Sequence, residues 1–378
     1  MSGTVRLVWG DAFMAYRLSD THPLQPLRVK LTVELIKELG LEAYAEIVEP
    51  RRATDEEIAL CHSPRYIELV KRLSDDAQSA DQEAARAGFD NRDNPIAAGM
   101  HDACAAIVGA SILAAEAVHS GAALHAFNPA GGLHHAARER ASGFCVYNDI
   151  AVAVAWLRRH GHRVAYVDVD VHHGDGTQAL FFSDPEVLTI SLHESGRYLF
   201  PGTGFPDEIG VGPARGTSAN LPLAPYTWDE PWLAAFEAVV PPLLREFRPT
   251  VLVTQDGCDT HALDPLAHLL GSTAIWPHVG RRFHELAHEL CGGRWVATGG
   301  GGYAIREVVP RAWTLLFAEM VGRADLAAAL VDTERYAPDE VMRERVWAFL
   351  ERDLRGLAHA LSVPLSLQSA DADGRSGL

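Results

Sequence analysis

The chain has 378 residues, 48% of them hydrophobic, and is therefore long enough to bury a large core. Its formal net charge of −17 argues against a nucleic-acid-binding protein and against docking on anionic membranes, since both need a basic surface. The negative charge favours a cationic substrate. Five cysteines without a Cys-x-x-Cys pair do not indicate a disulfide framework, and the N-terminus lacks a signal-peptide pattern. We expect a cytoplasmic protein that binds neither nucleic acid nor membrane; its oligomeric state is not indicated.

In chain order, the hydrophobic patterns predict strands that alternate with helices. Thr54 and Glu57 have the spacing of a capping box at a helix N-terminus. The other predicted elements are a strand at residues 5–8, a helix at 28–39, a helix at 101–118, a short apolar step at 122–126, a helix at 149–159, and strands at 163–171, 187–192, 250–254 and 294–298. This order predicts an α/β fold with a single open, mostly parallel β-sheet and helices on both faces. One domain is expected over residues 1–367, with two domains as the alternative, before a polar tail at 368–378.

Acidic and histidine residues occupy the end of the predicted strand at 163–171. Side chains alternate between the faces of a strand, so Asp168, Asp170 and His172 are expected on one face. Two carboxylates and an imidazole are costly to bury unless a cation compensates them. Asp and His ligands suit Zn²⁺, and also Fe²⁺, Mn²⁺ or Co²⁺. The pattern predicts a divalent metal site, with a solvated strand end as the alternative.

A third protein ligand for this metal is expected from the next acidic strand end. Asp259 follows the hydrophobic strand at 250–254 and a glycine turn. Asp256 and Asp264 lie close by in the sequence and compete for the same role. Spacing favours Asp259 and leaves the other two as alternatives.

Two glycine-rich loops carry further candidate residues. His134 and His135 follow Gly131 and Gly132, and a pair of imidazoles can supply a general base and a general acid to one water molecule. Four glycines precede Tyr303, whose hydroxyl can stabilise an oxyanion. These glycines do not follow the G-x-G-x-x-G pattern, so a nucleotide-binding loop is disfavoured.

Seven motifs, in the order PAGGLHHA, SGFCVYNDIA, YVDVDVHHGDGTQ, TISLHESG, FPGTG, QDGCD and GGGGY, extend over nearly the whole chain. Together they resemble the histone deacetylase superfamily, which shares the arginase-type fold, and in particular the bacterial acetoin utilization deacetylases. The resemblance implies zinc-type hydrolysis of an acetylated amine, with Fe²⁺ as the alternative metal, without a covalent intermediate. It also implies a structural monovalent cation, usually K⁺.

The resemblance implies a role for each matching residue. The metal and catalytic positions are Asp170, His172 and Asp259 as metal ligands, His134 and His135 as tandem catalytic histidines, Asp168 and Asp175 as the carboxylates behind them, and Tyr303 as the carbonyl-polarising tyrosine. The substrate positions are Phe144 and Phe200 as aromatic channel walls, Gly143 beside them, Leu266 as an apolar wall and Asp93 as a rim carboxylate. The monovalent-cation positions are Asp168, Asp170, His172, Ser191 and Leu192.

Three other functions compete with deacetylation of lysine side chains in proteins, for which an acyl-CoA synthetase is the suggested substrate. A two-manganese, arginase-like site needs a carboxylate at position 174, which is Gly174. Acetylpolyamine hydrolysis uses the same chemistry, and a non-catalytic acetyl-lysine-binding module would be expected to lack some of these residues. One departure from the family pattern is His261, which either reshapes the pocket or binds metal.

Overall fold

A single open sheet of eight parallel strands forms the centre of the protein in the computed structural model, which describes residues 5–367. The strands are β1 (Val5–Val8), β2 (Ala45–Val48), β3 (His125–Asn128), β4 (Val164–Asp168), β5 (Val187–Glu194), β6 (Ser218–Leu223), β7 (Val251–Gln255) and β8 (Trp295–Thr298). Their order across the sheet is β2-β1-β3-β8-β7-β4-β5-β6. The predicted open parallel sheet is therefore confirmed, and every pairing within it is parallel.

Two groups of helices cover the sheet, and within each group the helices pack on one another. The helices are α1 (Leu27–Glu38), α2 (Asp55–Ile58), α3 (Pro64–Asp75), α4 (Gln82–Arg86), α5 (Met100–Ser120), α6 (Asp149–Arg159), α7 (Asp175–Phe181), α8 (Asp229–Phe247), α9 (Ile275–Cys291), α10 (Val309–Met320), α11 (Ala324–Ala327) and α12 (Glu340–Leu361). Helices α5 and α6 pack together, and α1, α9 and α10 form the second group. Because both α5 and α9 contact β8, the central strands are buried between helices.

Helix α5 is long and apolar enough, by length and composition alone, to span a membrane. It nevertheless packs against α6, β1, β3 and β8, and 15 of its 21 residues are buried. Such burial is what a core helix of a globular protein shows. The five cysteines are also buried and unpaired, as expected for a chain without a disulfide framework.

Most predicted elements are found within a few residues of their expected positions. The capping box at Thr54 is present, with the Thr54 side chain accepting from the Glu57 N–H at 3.3 Å. The predicted helix at 149–159 has those bounds, and the apolar step at 122–126 leads into β3. Strands β2 and β6 were not predicted. The expected polar tail at 368–378 lies outside the described residues.

The predicted strand at 163–171 is too long, because β4 ends at Asp168. Beyond this residue, backbone N–H groups donate hydrogen bonds to nearby carboxylate oxygens. The N–H of Asp170 donates to Asp168 Oδ1 at 3.1 Å, and the N–H of His172 donates to Asp170 Oδ1 at 2.9 Å. These local bonds replace the ladder of a strand. The alternation argument therefore fails beyond Asp168, although the residues it selected still lie at one end of the sheet.

Candidate active site

The candidate residues follow four strands that are neighbours in the sheet. The loops at 129–135, 299–303, 256–259 and 169–175 follow β3, β8, β7 and β4 respectively. All four strands are parallel, so these loops meet at the carboxyl edge, where open α/β sheets bind ligands. The sheet thus brings together residues that are up to 174 positions apart, from Pro129 to Tyr303.

Asp170, His172 and Asp259 form a buried cluster whose ligand atoms all lie within 4.8 Å of one another. His172 Nδ1 is 3.0 Å from Asp259 Oδ2 and 3.2 Å from Asp170 Oδ1. Burial lowers the pKa of His172, but its hydrogen bonds to the two carboxylates outweigh burial and raise the pKa to about 10. Two buried carboxylates are costly to bury unless a cation compensates them. The donor set fits a divalent metal ion.

Backbone and side-chain donors fix the orientation of these carboxylates. Gln255 Nε2 and the N–H of Gly301 donate to Asp170 Oδ2 at 2.7 and 2.6 Å, and the N–H of Val171 donates to Asp259 Oδ1 at 2.9 Å. A Cβ at Gly301 would lie 1.9 Å from Asp259 Oδ2, so only glycine lets the backbone approach this closely. The glycine run therefore serves the acidic cluster. Gln255 was missed from the sequence, although it directly precedes Asp256.

The two alternatives to Asp259 lie elsewhere. Asp256 is buried and accepts from the Thr254 hydroxyl at 2.7 Å, and Asp264 accepts from the N–H of Tyr303 at 2.7 Å. His261 faces away from the cluster, and its Nε2 lies 2.8 Å from Asp332 Oδ2. This departure from the family pattern is therefore a buried histidine that contacts Asp332 and lies outside the acidic cluster.

Each tandem histidine is paired with one carboxylate. His134 Nδ1 is 2.8 Å from Asp168 Oδ2, and His135 Nδ1 is 2.7 Å from Asp175 Oδ1. The two Nε2 atoms face each other at 3.0 Å. Burial lowers the pKa of His134, but Asp168 and Asp170 raise it to about 9. Burial and the charge of His134 lower the pKa of His135 to about 4, so the environments of the two rings shift their pKa values in opposite directions.

Residues that the sequence did not single out hold the histidine loop. The carboxylate of Asp149 accepts from the N–H groups of Gly132 and Leu133, at 3.1 and 2.8 Å through Oδ1. Asn148 Nδ2 donates to the carbonyl of His134 at 3.1 Å. The Tyr166 hydroxyl donates to Asp168 Oδ2. Asn148 caps helix α6 and Asp149 is its first residue; both belong to the motif SGFCVYNDIA, which did not reveal their contacts with the histidine loop.

Tyr303 lies across the site from the histidine pair. Its ring packs edge-on against Phe144, with centroids 5.7 Å apart, and the Arg28 guanidinium lies 5.9 Å from its centroid. Burial, with the nearby charges of Asp259 and Asp170, raises the pKa of Tyr303 well above its usual value. The phenol therefore stays protonated at neutral pH and can donate a hydrogen bond.

Two aromatic side chains flank the approach to the buried residues. Phe200 is 44% exposed and packs edge-on against His135 with centroids 5.0 Å apart, while Phe144 is half-buried beside Tyr303. Gly143 lies beneath them, and a Cβ there would come within 2.3 Å of His135 Cδ2. Aromatic rings thus lie beside the imidazole of His135 and the phenol of Tyr303.

The remaining candidates lie farther from the metal cluster. Asp93 is exposed, and its carbonyl oxygen lies 3.2 Å from His22 Nε2, whereas Leu266 is half-buried after the Asp264 turn. Ser191 and Leu192 are buried in β5, where Ser191 is the register partner of Asp168. Ser191 Oγ lies 2.8 Å from His193 Nδ1. The structure thus brings Ser191 beside Asp168, whereas Asp93 and Leu266 occupy outer positions.

Gly174 leaves no room for a second set of acidic metal ligands. A Cβ at this position would lie 2.2 Å from Asp168 Oδ2 and 3.2 Å from His134 Nδ1. Any carboxylate side chain here would displace the Asp168–His134 pair. The space at Gly174 therefore does not accommodate the carboxylate that a two-manganese, arginase-like site needs at this position.

Sequence comparison agrees with this geometry. The family model described as the histone deacetylase domain matches residues 22–320. The acetoin utilization protein AcuC of Bacillus subtilis (strain 168) is 44% identical over 83% of this chain and 81% of its own length. The proteins of that name from Staphylococcus aureus (strain MRSA252) and Staphylococcus xylosus are 40% and 38% identical, covering 83% and 85% of this chain and 81% and 84% of their own lengths. This chain therefore belongs to the histone deacetylase family and is a metal-dependent hydrolase that acts on amide bonds.

Proposed function

We propose that the protein removes acetyl groups from lysine side chains of other proteins, and that an acyl-CoA synthetase of acetoin or acetate metabolism is its substrate. The observation that supports this most directly is the position of two aromatic rings beside the metal cluster, with Phe200 packed against His135 and Phe144 against Tyr303. A linear acyl-lysine side chain fits between aromatic rings. Positively charged residues around that lysine in the substrate would be attracted to this chain, whose net charge is −17. Asp93 at the rim is proposed to hold the substrate backbone, with Leu266 as an apolar wall.

The proposed reaction adds water across the amide bond. Asp170, His172 and Asp259 would hold the divalent ion, for which we propose Zn²⁺ with Fe²⁺ as the alternative. When bound, this ion polarises the acetyl oxygen and lowers the pKa of water. His135 takes a proton from the water through Nε2, since its Nδ1 is directed at Asp175. The water oxygen then forms a bond to the carbonyl carbon.

Side chains of the protein also stabilise the tetrahedral intermediate and promote its breakdown. The Tyr303 hydroxyl donates to the oxyanion that forms from the carbonyl oxygen. A protonated histidine of the pair then donates to the amine nitrogen as the carbon–nitrogen bond breaks, which yields acetate and a free amine. Asp168 and Asp175 hold the two imidazoles in place through their Nδ1 atoms.

A monovalent cation is proposed beside this centre. Its ligands would come from the Asp168 side chain and the neighbouring Asp170, His172, Ser191 and Leu192, with K⁺ as the ion. The pairing of Asp168 with Ser191 in adjacent strands supports this placement. We propose a cytoplasmic location because five unpaired cysteines suit a reducing compartment.

One experiment tests the substrate and the chemistry together. Acetyl-lysine peptides and acetylated polyamines are assayed at equal concentration against protein of measured metal content, with Asp259→Ala as the inactive control. We expect kcat/KM for the peptides to exceed that for the polyamines. Faster turnover of polyamines would replace the proposed substrate, and acetate release by Asp259→Ala at the parent rate would remove the proposed mechanism.

A further inference from the structure

Three histidines meet near the amino ends of the strands, at the end of the sheet opposite to the active site. His125 is the first residue of β3, whereas His284 and His288 lie on α9. One nitrogen of each ring lies within 4.8 Å of a nitrogen of the other two. We call this set the three-histidine cluster. Because β3 spans four residues at about 3.3 Å each, the cluster is separated from the loop after Asn128 by the length of the strand.

Strand β3 and helix α9 hold the three rings close together. His284 and His288 are four residues apart on a helix, so they lie on one face, and their rings stack with centroids 4.8 Å apart. The His125 ring is 4.7 Å from that of His284 and 5.2 Å from that of His288, at interplanar angles of 58° and 82°. The rings thus converge from two elements that are 159 residues apart in the chain, the separation of His125 and His284.

The hydrogen bonding of the cluster is incomplete in a way that a metal ion would complete. His125 is only 2% exposed, and its buried Nδ1 has no hydrogen-bond partner in the part of the chain that the structure describes. An unpaired buried nitrogen is unfavourable unless an ion or a water molecule takes it. His284 Nδ1 lies 3.0 Å from the carbonyl of Glu319, which leaves Nε2 free, as in metal-ligating histidines held by a backbone oxygen.

We propose that the three-histidine cluster is a second metal site, separate from the active centre, which binds a late first-row divalent ion such as Zn²⁺. Imidazole suits Zn²⁺, Cu²⁺ and Ni²⁺, whereas Mg²⁺ and Ca²⁺ prefer oxygen ligands. Zinc binds histidine nitrogen at about 2.0–2.1 Å, so small ring rotations would bring the three nitrogens into range. His288 is exposed, so water takes the fourth position.

The site would connect β3 to α9 across the edge of the core. It lacks carboxylates, so it has no buried negative charge that requires an ion. We therefore expect weaker binding here than at Asp170, His172 and Asp259, by at least about tenfold. The role of the ion is to join two elements, and it takes no part in hydrolysis.

Zinc stoichiometry of the full chain tests this inference. Protein stripped with a chelator is dialysed against free Zn²⁺ and analysed for bound metal and for deacetylase turnover. We expect two zinc ions per chain in the parent protein and one in His288→Ala and His284→Ala, with turnover unchanged within about twofold. His359→Ala, which removes an exposed histidine near the end of α12, is the matched control and should keep two. Asp259→Ala should bind one zinc ion, which is the ion at the three-histidine cluster.

His288 is exposed, so its removal should leave the fold intact and the result interpretable even if His284→Ala misfolds. Binding of a single zinc ion by the parent protein overturns the inference. Retention of the second ion in His288→Ala, or its equal loss in His359→Ala, overturns it as well.

Discussion

The two histidine-containing clusters lie at opposite edges of one sheet and differ in charge and support. Asp170, His172 and Asp259 are buried, and their oxygens accept from Gln255 and from backbone N–H groups. The three-histidine cluster is formed by imidazole rings, of which one is buried, one half-buried and one exposed. Burying a carboxylate without a cation costs far more than burying an imidazole nitrogen without a hydrogen-bond partner. One cluster therefore requires an ion and the other only accepts one.

This difference explains where chemistry is possible. The acidic cluster lies at the carboxyl edge, where loops after four adjacent strands bring bases and a phenol beside it. The three-histidine cluster is at the amino edge, where its neighbours are Trp295 and the end of α9. The described residues around it offer no paired general base comparable with His135 and Asp175. An ion there can stabilise the fold, but it has no catalytic partners.

Loss of a ligand in the acidic cluster should have the largest effect. Asp259→Ala removes one of three ligands and leaves Asp170 and His172 to hold the ion. A bound ion supplies several kcal/mol of charge stabilisation, so turnover should fall by about 10³-fold or more. Metal analysis and steady-state kinetics measure both effects, with His288→Ala as the control at the other cluster. Full activity in Asp259→Ala would show that Asp256 or Asp264 serves as the ligand.

Removal of the base should separate metal binding from chemistry. His135→Ala leaves the acidic cluster complete but removes the ring whose Nε2 faces the reaction. We expect turnover to fall by about 10²–10⁴-fold, with metal content unchanged. Single-turnover rates and metal analysis on the same sample measure this. Near-normal turnover would assign the base to His134 instead.

The Tyr303 hydroxyl should act on the transition state more than on binding. Tyr303→Phe keeps the ring that packs on Phe144 and removes one donor to the oxyanion. Turnover should fall by about 10²–10³-fold, whereas peptide affinity should change much less. Turnover and the dissociation constant of one acetyl-lysine peptide distinguish the two effects. A collapse of affinity with unchanged turnover would make Tyr303 a binding wall.

Sequence patterns were informative where the chain is regular or where neighbouring residues form a motif. Helix α6 and the strands β4, β5, β7 and β8 follow from hydrophobic runs, and His134, His135, Asp170 and His172 lie in short motifs. Alternation failed after Asp168 because carboxylate oxygens take the N–H groups that a longer strand would use. Periodicity cannot detect such local competition from side chains.

Residues that depend on long-range contacts could not be predicted. Gln255 contacts Asp170 only because β7 pairs with β4, and the preceding sequence is an ordinary hydrophobic strand. The three-histidine cluster joins a lone histidine at position 125 to two on α9. Its one local signal was the spacing of His284 and His288 on a helix, which is common on surfaces. The order of the strands, and hence the meeting of these residues, is set by tertiary packing.

The carboxylate behind the base should have a moderate effect. Asp175→Asn keeps a side chain of similar size but removes the charge that orients and supports His135 through Nδ1. Loss of such supporting partners typically costs about 10–100-fold in activity, so the decrease should be smaller than in His135→Ala. Steady-state kinetics on both variants gives the comparison. An equal loss in both would mean that Asp175 itself transfers the proton.

The smallest effect concerns the stability that zinc adds through the three-histidine cluster. In Asp259→Ala, which lacks a complete active centre, Zn²⁺ binds the folded chain but not an unfolded chain whose histidines at 125 and 284 are far apart. Free Zn²⁺ at about ten times the dissociation constant then stabilises the folded state by about 1.4 kcal/mol, or about 2 °C in Tm. The double variant Asp259→Ala/His288→Ala should show no rise in a thermal melt with the same Zn²⁺. An equal rise in both proteins would mean that zinc stabilises the chain elsewhere, and that the two edges of the sheet do not differ as proposed.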